Sequence, residues 1–262
     1  MSGSSATAST AASSAEDTAT DEAVRVRAIH QPNFFPRLST LAKLFAAQEW
    51  IILDTVQFTR RDYQNRARLA ELDRPDTDRL LTLPVHLTHG RSTRIRDTRL
   101  VDPAHSARKV NMLIRQYYRR SSHWSDIKGP LASVVDTLGR SDDLSLVSTV
   151  STSALLRHLG WRGTIVPADG IPARSGRTER LVDLTAATGG THYLCGPGGL
   201  RYLDERLFTG EHLTVIPFRT PVDASPPWVN AHRLSALWAM AQLGADTLAT
   251  ALRSQRDLVL GY

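Results

Sequence analysis

The residues from 24 to 53 most constrain what this chain can fold into, because they predict a strand, a helix and a second strand in succession. Residues 24–29 alternate in polarity as a strand does, apolar side chains recur at helical spacing between residues 38 and 45, and residues 51–53 form a short apolar run. Two parallel strands joined by a helix lie side by side in one sheet and are buried on both faces. Strands and helices go on alternating, so the sequence predicts an α/β fold, with a mostly parallel sheet and helices on both faces.

Polar side chains follow both of these strands at the point where each strand ends. His30 closes the first strand and Asp54 follows the second. Ligands bind at the carboxyl ends of the strands in open α/β sheets, and the two prolines of the HQPNFFP loop stiffen the turn that presents Gln31 and Asn33. We therefore expect His30 to act as a general acid or base, with Asp54 orienting it or holding a substrate amine. Alternatively, the two residues form a satisfied buried pair or a helix cap.

An arginine cluster follows the second strand. Arg60, Arg61, Arg66 and Arg68 lie within nine positions, and the planar guanidinium suits a carboxylate, phosphate or sulfate. Arg66 and Arg68 are predicted to bind an anionic substrate group or to stabilise a leaving group, whereas the alternative is a solvated or acid-paired surface. Two neutral amides complete the candidate substrate contacts in this stretch: Gln57 and Asn65.

A second candidate region lies between residues 169 and 204. Arg180 falls in the first turn of a predicted helix, where the helix dipole disfavours a cation, so we expect it to have an acidic partner or to bind the substrate. Tyr193 lies on a predicted strand and is a candidate second proton-handling group. Cys195 shares its face, and a lone cysteine is more often a small buried hydrophobe than a nucleophile.

Several of these stretches together resemble the WbqC-like protein family. The motifs are HQPNFFP, LDTVQF followed by QNRAR, LTLPV, and TERLVDLTAATGGTHYLCGPGGLRYLD, and they occur in order over roughly residues 25–245. The resemblance implies an enzyme of bacterial surface-polysaccharide or specialised-metabolite pathways. It also implies a serine where this chain has Cys195, which argues against an obligatory thiol nucleophile, and an acidic residue in the helix predicted from Leu234, where this chain has LSALWAMAQLG.

Composition defines the domain organisation and the expected location. Residues 1–22 are small and polar and are predicted to form a disordered tail, whereas residues 23–262 form one α/β domain with a helical segment at about 104–160. No apolar run is long enough to span a membrane. A single cysteine allows no internal disulfide, so we expect a cytoplasmic protein.

Charge and motifs leave three hypotheses for function. We favour a biosynthetic enzyme, a transferase or a lyase, that acts on a small polar anion-bearing substrate by group transfer, or by elimination or cyclisation with loss of an anionic leaving group. No carrier or cofactor fingerprint is visible, so the cofactor stays unassigned, and the HxxH pair of His86 and His89 lacks the further ligands of a metal site. The second hypothesis is nucleic-acid binding, which the net charge of +6 suggests, although the arginines are scattered along the chain. The third hypothesis is a non-catalytic partner subunit of a biosynthetic enzyme.

Overall fold

The computed structural model describes residues 24–221 and 225–261, so the predicted tail lies outside the described residues. The strands are β1 Val26–His30, β2 Glu49–Ile52, β3 Arg66–Ala70, β4 Asp78–Thr82, β5 Val85–Leu87, β6 Thr98–Leu100, β7 Thr164–Pro167, β8 His192–Cys195 and β9 Thr214–Pro217. The helices are α1 Leu38–Ala46, α2 Pro103–Tyr118, α3 Trp124–Leu138, α4 Leu144–His158, α5 Arg177–Ala187, α6 Pro197–Leu200, α7 Glu205–Gly210, α8 Ala236–Leu243 and α9 Ala245–Leu260.

Five of the described strands form an all-parallel sheet in the order β7-β2-β1-β8-β9, which confirms the predicted fold class. The predicted β1-α1-β2 unit is present, and its register pairs His30 with Ile52. The amide of Leu53 donates to the carbonyl of His30 at 3.0 Å. The first residues beyond β1 and β2 therefore lie at the same edge of the sheet.

Side chains that alternate along the central strands bury both faces of this sheet. On one face Ala28 and Trp50 join a core with α1, α8 and α9. On the other face Ile29 and Ile51 pack with side chains of α5 and α7. Helices therefore cover both faces, as the sequence predicts.

The chain between β2 and β7 leaves the parallel sheet. It forms two antiparallel pairs, β3 with β4 and β5 with β6, followed by the three helices α2, α3 and α4. The Leu83 amide donates to the carbonyl of Asn65 at 2.8 Å, which extends the pairing of β3 with β4 by one residue. Pro84 follows and has no amide to donate, so the first pair ends there and the second begins at Val85. None of the described helices is long and apolar enough to cross a membrane.

Candidate active site

A cavity of about 490 Å³ opens at the carboxyl ends of β1 and β8, and we call it the His30 cavity. The residues that line it include His30, Gln31, Arg37, Lys43, Asp62, Tyr193, the 196–199 turn, Tyr202, Thr220 and His232. Its position agrees with the general rule for open parallel sheets, in which the loops at this edge are held by the strands that precede them. Its lining combines charged, proton-carrying and apolar groups, as small-molecule sites commonly do.

Lys43 brings a charge into a buried position. Helix α1 is covered on nearly all sides, and Lys43 is only 6% exposed. Its ammonium donates to the carbonyl of Ile29 at 3.3 Å and lies 3.5 Å from Nδ1 of His30. Within the described part of the chain no carboxylate forms an ion pair with it. Burial lowers the pKa of Lys43 to about 8, while the neighbouring Cys195 acts in the opposite direction.

His30 lies between Lys43 and Asn33. Its Nδ1 faces the Lys43 ammonium, and its Nε2 lies 3.4 Å from the Asn33 side-chain amide. Burial lowers the pKa of His30 well below its usual value, and the charges of Lys43 and Arg37 lower it further. His30 is therefore a neutral imidazole near pH 7.

Tyr193 contributes a buried phenol to the same cavity. Its ring stacks on Phe208 with centroids 5.3 Å apart. Burial raises the pKa of Tyr193 well above its usual value, so the phenol remains a hydrogen-bond donor at physiological pH. Cys195 is fully buried and does not line the cavity, and burial raises the pKa of its thiol as well. A protonated, enclosed thiol is poorly suited to act as a nucleophile.

Arg37 supplies a second cationic side chain to the cavity. Its guanidinium lies 4.4 Å from the centroid of the Tyr63 ring and donates to the carbonyl of His232 at 3.0 Å. Its Nε is buried and has no hydrogen-bond partner. Arg37 therefore lines the cavity with its guanidinium stacked on Tyr63 and has no ion-pair partner among the described residues, which leaves its charge available to a ligand.

Asp54 lies away from the His30 cavity. Its Oδ2 accepts from the hydroxyl of Ser145 at 2.7 Å, and its Oδ1 is buried without a partner. Burial raises the pKa of Asp54, while the Ser145 hydrogen bond opposes that shift. Although β1 and β2 are neighbours, Asp54 faces α4 and does not contact His30.

The arginines of β3 are held by partners within the protein. Arg66 donates through Nε to the carbonyl of Asp62 at 2.8 Å and through its terminal nitrogen to that of Arg61. Arg68 forms an ion pair with Asp78, which also accepts from Arg233 at 2.7 Å. Neither Arg66 nor Arg68 lines the His30 cavity.

The other candidate residues are dispersed. Gln57 donates to the carbonyl of Arg91 at 2.5 Å, and Asn65 donates to that of Leu83 at 2.9 Å, so both amides organise loops. Arg180 lines a separate cavity of about 240 Å³ together with Arg96, and donates to the carbonyl of Ser175 at 3.2 Å.

The structure thus groups four of the ten candidates around one cavity: His30, Gln31, Asn33 and Tyr193. It adds groups that the sequence reasoning missed, chiefly Lys43, Arg37 and His232. One signal for Lys43 was available, since it is one of only three lysines in a chain rich in arginine and it lies among apolar residues in the segment LAKLFA. No group of three or more His, Cys, Asp or Glu side chains that could hold a metal ion occurs within the ranges 24–221 and 225–261.

Together the fold and the cavity define an α/β protein with a cation-lined pocket at the carboxyl edge of a parallel sheet. The profile of the WbqC-like protein family matches residues 31–227, and the chain belongs to this family. It is also similar to the uncharacterized protein Rv1507c of Mycobacterium tuberculosis, with 28% identity over 181 residues, which cover 69% of this chain and 76% of that protein. No solved structure matches the chain.

Proposed function

We propose that this protein is a biosynthetic enzyme whose active site is the His30 cavity. In this proposal the substrate is small, polar and anionic, and the reaction is a group transfer or an elimination that releases an anion. The observation that carries the proposal is the Lys43 ammonium, which is buried against a neutral imidazole without a carboxylate partner among the described residues. A desolvated charge of this kind opposes folding, so its presence at a cavity wall points to a use in binding or chemistry.

The charges of the cavity support the choice of substrate class. Lys43 and Arg37 line it together, and Asp62 is the carboxylate among the lining residues. A bound anion would compensate the charge of Lys43 and pair with the Arg37 guanidinium, since both side chains line the cavity. The volume of about 490 Å³ suits a metabolite rather than a polymer.

His30 and Tyr193 supply the proton transfers. The lowered pKa of His30 keeps it deprotonated and available as a base near neutral pH. It would take a proton from the substrate carbon or from an acceptor nucleophile, while the bond to an anionic leaving group breaks. Lys43 and Arg37 would neutralise the charge that develops on that group, and the Tyr193 phenol would donate a hydrogen bond.

The partners of the arginines weigh against nucleic-acid binding as the main function. Arg68, Arg96 and Arg174 each pair with an aspartate, and these pairs reduce the charge that is free for a phosphate backbone. A non-catalytic subunit would have no need to keep Lys43 desolvated beside an open cavity.

A ligand screen on matched variants tests this proposal. Thermal unfolding is recorded at fixed salt with nucleotide sugars, acyl thioesters, phosphorylated and sulfated amino acids, and duplex DNA, on wild type, Lys43→Met and the exposed control Lys128→Met. A ligand at a hundredfold excess over its dissociation constant stabilises the folded state by about 2.7 kcal/mol. We expect one class of small anion to stabilise wild type and Lys128→Met but not Lys43→Met. Stabilisation by DNA alone, equal in all three proteins and lost at high salt, would contradict the proposal.

A further inference from the structure

Lys43 is placed for more than charge neutralisation. Its nitrogen is held by just two contacts among the described residues, the Ile29 carbonyl and Nδ1 of His30, and both are neutral acceptors. A lysine that serves only as a binding charge gains from full protonation, which a neighbouring carboxylate would secure. The environment here acts in the opposite direction, because it lowers the pKa of Lys43 and so increases the fraction of free amine. Such desolvation is a recognised way to activate a lysine as a nucleophile.

We infer that Lys43 forms an imine with a substrate that carries both a carbonyl group and an anionic group. This inference rests on the proposed function, because it assigns the substrate class to the same cavity. The anionic group would lie against the Arg37 guanidinium and the carbonyl carbon at the Lys43 nitrogen, because both side chains line the same cavity.

The chemistry balances without any further reagent. The free amine adds to the carbonyl carbon to give a carbinolamine, and loss of one water gives the imine. His30, with Nδ1 at 3.5 Å from the amine nitrogen, accepts the proton that leaves that nitrogen. Protonation of the imine makes it an electron sink for the adjacent C–H bond.

The same intermediate explains how an anionic leaving group would depart. A base, His30, removes the proton next to the imine carbon, and the electron pair forms an enamine. The enamine then expels the anion from the next carbon, which leaves an unsaturated imine. Water hydrolyses this imine, so the unsaturated carbonyl product is released and Lys43 is restored as the free amine. The lowered pKa of Lys43, about 8, is consistent with these steps.

Reductive trapping tests the inference directly, because the chain has only three lysines, Lys43, Lys109 and Lys128. Full-length protein is treated near pH 7.5 with glyoxylate or pyruvate, each of which has a carboxylate beside a carbonyl, and with cyanoborohydride to reduce any imine to a stable secondary amine. Acetaldehyde serves as the uncharged comparison. Peptide mapping by mass spectrometry then gives the rate of labelling at each lysine.

We expect Lys43 to be labelled on the order of tenfold faster than the exposed Lys128, because burial lowers the pKa of Lys43 to about 8 and so raises its fraction of free amine. Inorganic sulfate should slow labelling by glyoxylate more than labelling by acetaldehyde. Lys43→Arg and Lys43→Met should lose the fast label while the rate at Lys128 stays unchanged. Labelling of Lys43 in wild type no faster than that of Lys128 would overturn the inference, whatever the variants do.

The ligand screen and the trapping experiment together distinguish failure of the inference from failure of the proposed function. If small anions stabilise wild type through Lys43 but no imine is trapped, the inference fails and the proposed function stands. If an imine is trapped but no anion binds or competes, the imine chemistry stands and the anionic substrate class is wrong. If neither occurs, both fail.

Discussion

Two groups of cations in this protein differ in what surrounds them. On β3 and its neighbours, Arg68 and Arg233 both pair with Asp78, which is largely buried. In the His30 cavity, Lys43 is more deeply buried than either arginine and has two neutral acceptors as partners. A carboxylate partner therefore distinguishes a cation that stabilises the fold from one that remains available to a ligand.

The largest expected effect comes from removing the unpaired charge. A lysine pKa lowered from 10.5 to about 8 corresponds to about 3 kcal/mol of destabilisation at pH 7. Methionine fills a similar volume without a charge, so Lys43→Met should raise the free energy of unfolding by up to about 3 kcal/mol while abolishing the ligand response. Urea unfolding and the ligand screen measure the two effects.

The sign of the pH dependence follows from the same lowered pKa. Between pH 8 and 10.5 the unfolded chain binds more protons at Lys43 than the folded protein does, so wild-type stability rises with pH across that window. The advantage of Lys43→Met should therefore be full below pH 8 and should shrink toward pH 10.5. A Lys43→Met protein that is less stable than wild type at pH 7 would contradict the view that Lys43 is an unpaired charge that destabilises the fold.

Removing the carboxylate of a paired charge should lower the free energy of unfolding, whereas removing Lys43 should raise it. Asp78→Ala leaves Arg68 and Arg233 without their shared carboxylate, and we expect a loss of about 2 kcal/mol in the free energy of unfolding. Ligand-induced stabilisation should be unchanged, because Asp78 is not part of the His30 cavity. Urea unfolding with and without ligand checks both statements, and a lost ligand response would show that the two regions are coupled.

A smaller effect is expected within the wall of the cavity. A Cβ at Gly199 would lie 2.6 Å from the buried Cys195 sulfur, whereas a Cβ at Gly198 meets nothing within 4 Å. Gly199→Ala should therefore destabilise the protein by about 1 to 2 kcal/mol, and Gly198→Ala should have little effect on stability. Thermal unfolding of this matched pair is the measurement, and equal behaviour of the two variants would argue against the close approach of the 196–199 turn to Cys195.

The smallest effect is expected at Arg66. Its side chain is held by backbone carbonyls of the loop that precedes β3, and it is partly exposed. Arg66→Ala should change the free energy of unfolding by about 0.5 kcal/mol or less and should leave the ligand response intact. A ligand response lost in Arg66→Ala but kept in Lys43→Met would restore the arginine cluster as the binding site.

The sequence predicts the sheet well because the signals for it are local. The β1-α1-β2 unit follows from residue periodicity over a short span, and the position of His30 at a strand end follows from that unit. Family resemblance across most of the chain agrees with the fold and with the family match.

The partners of the charged residues are not local, and the sequence pattern does not identify them. Asp78 meets Arg233 across 155 positions, and Asp54 meets Ser145 across 91. Nothing in the spacing of the arginines indicates such pairs. Lys43 was missed for a related reason, since a lysine in an amphipathic helix normally faces solvent, and the packing of α8, α9 and α4 on α1 is a property of the whole fold.

The central claim is that Lys43 is a desolvated, anion-responsive amine in a binding cavity, and nuclear magnetic resonance of the three lysines tests it most directly. Protein carrying ¹³C at lysine Cε is titrated with base, first alone and then with saturating sulfate, and the signal lost in Lys43→Met is assigned to Lys43. We expect that signal to titrate near pH 8 without sulfate and at a higher pH with it, because a bound anion favours the ammonium. Titration near pH 10.4, as for an ordinary lysine, with no response to sulfate would contradict the claim.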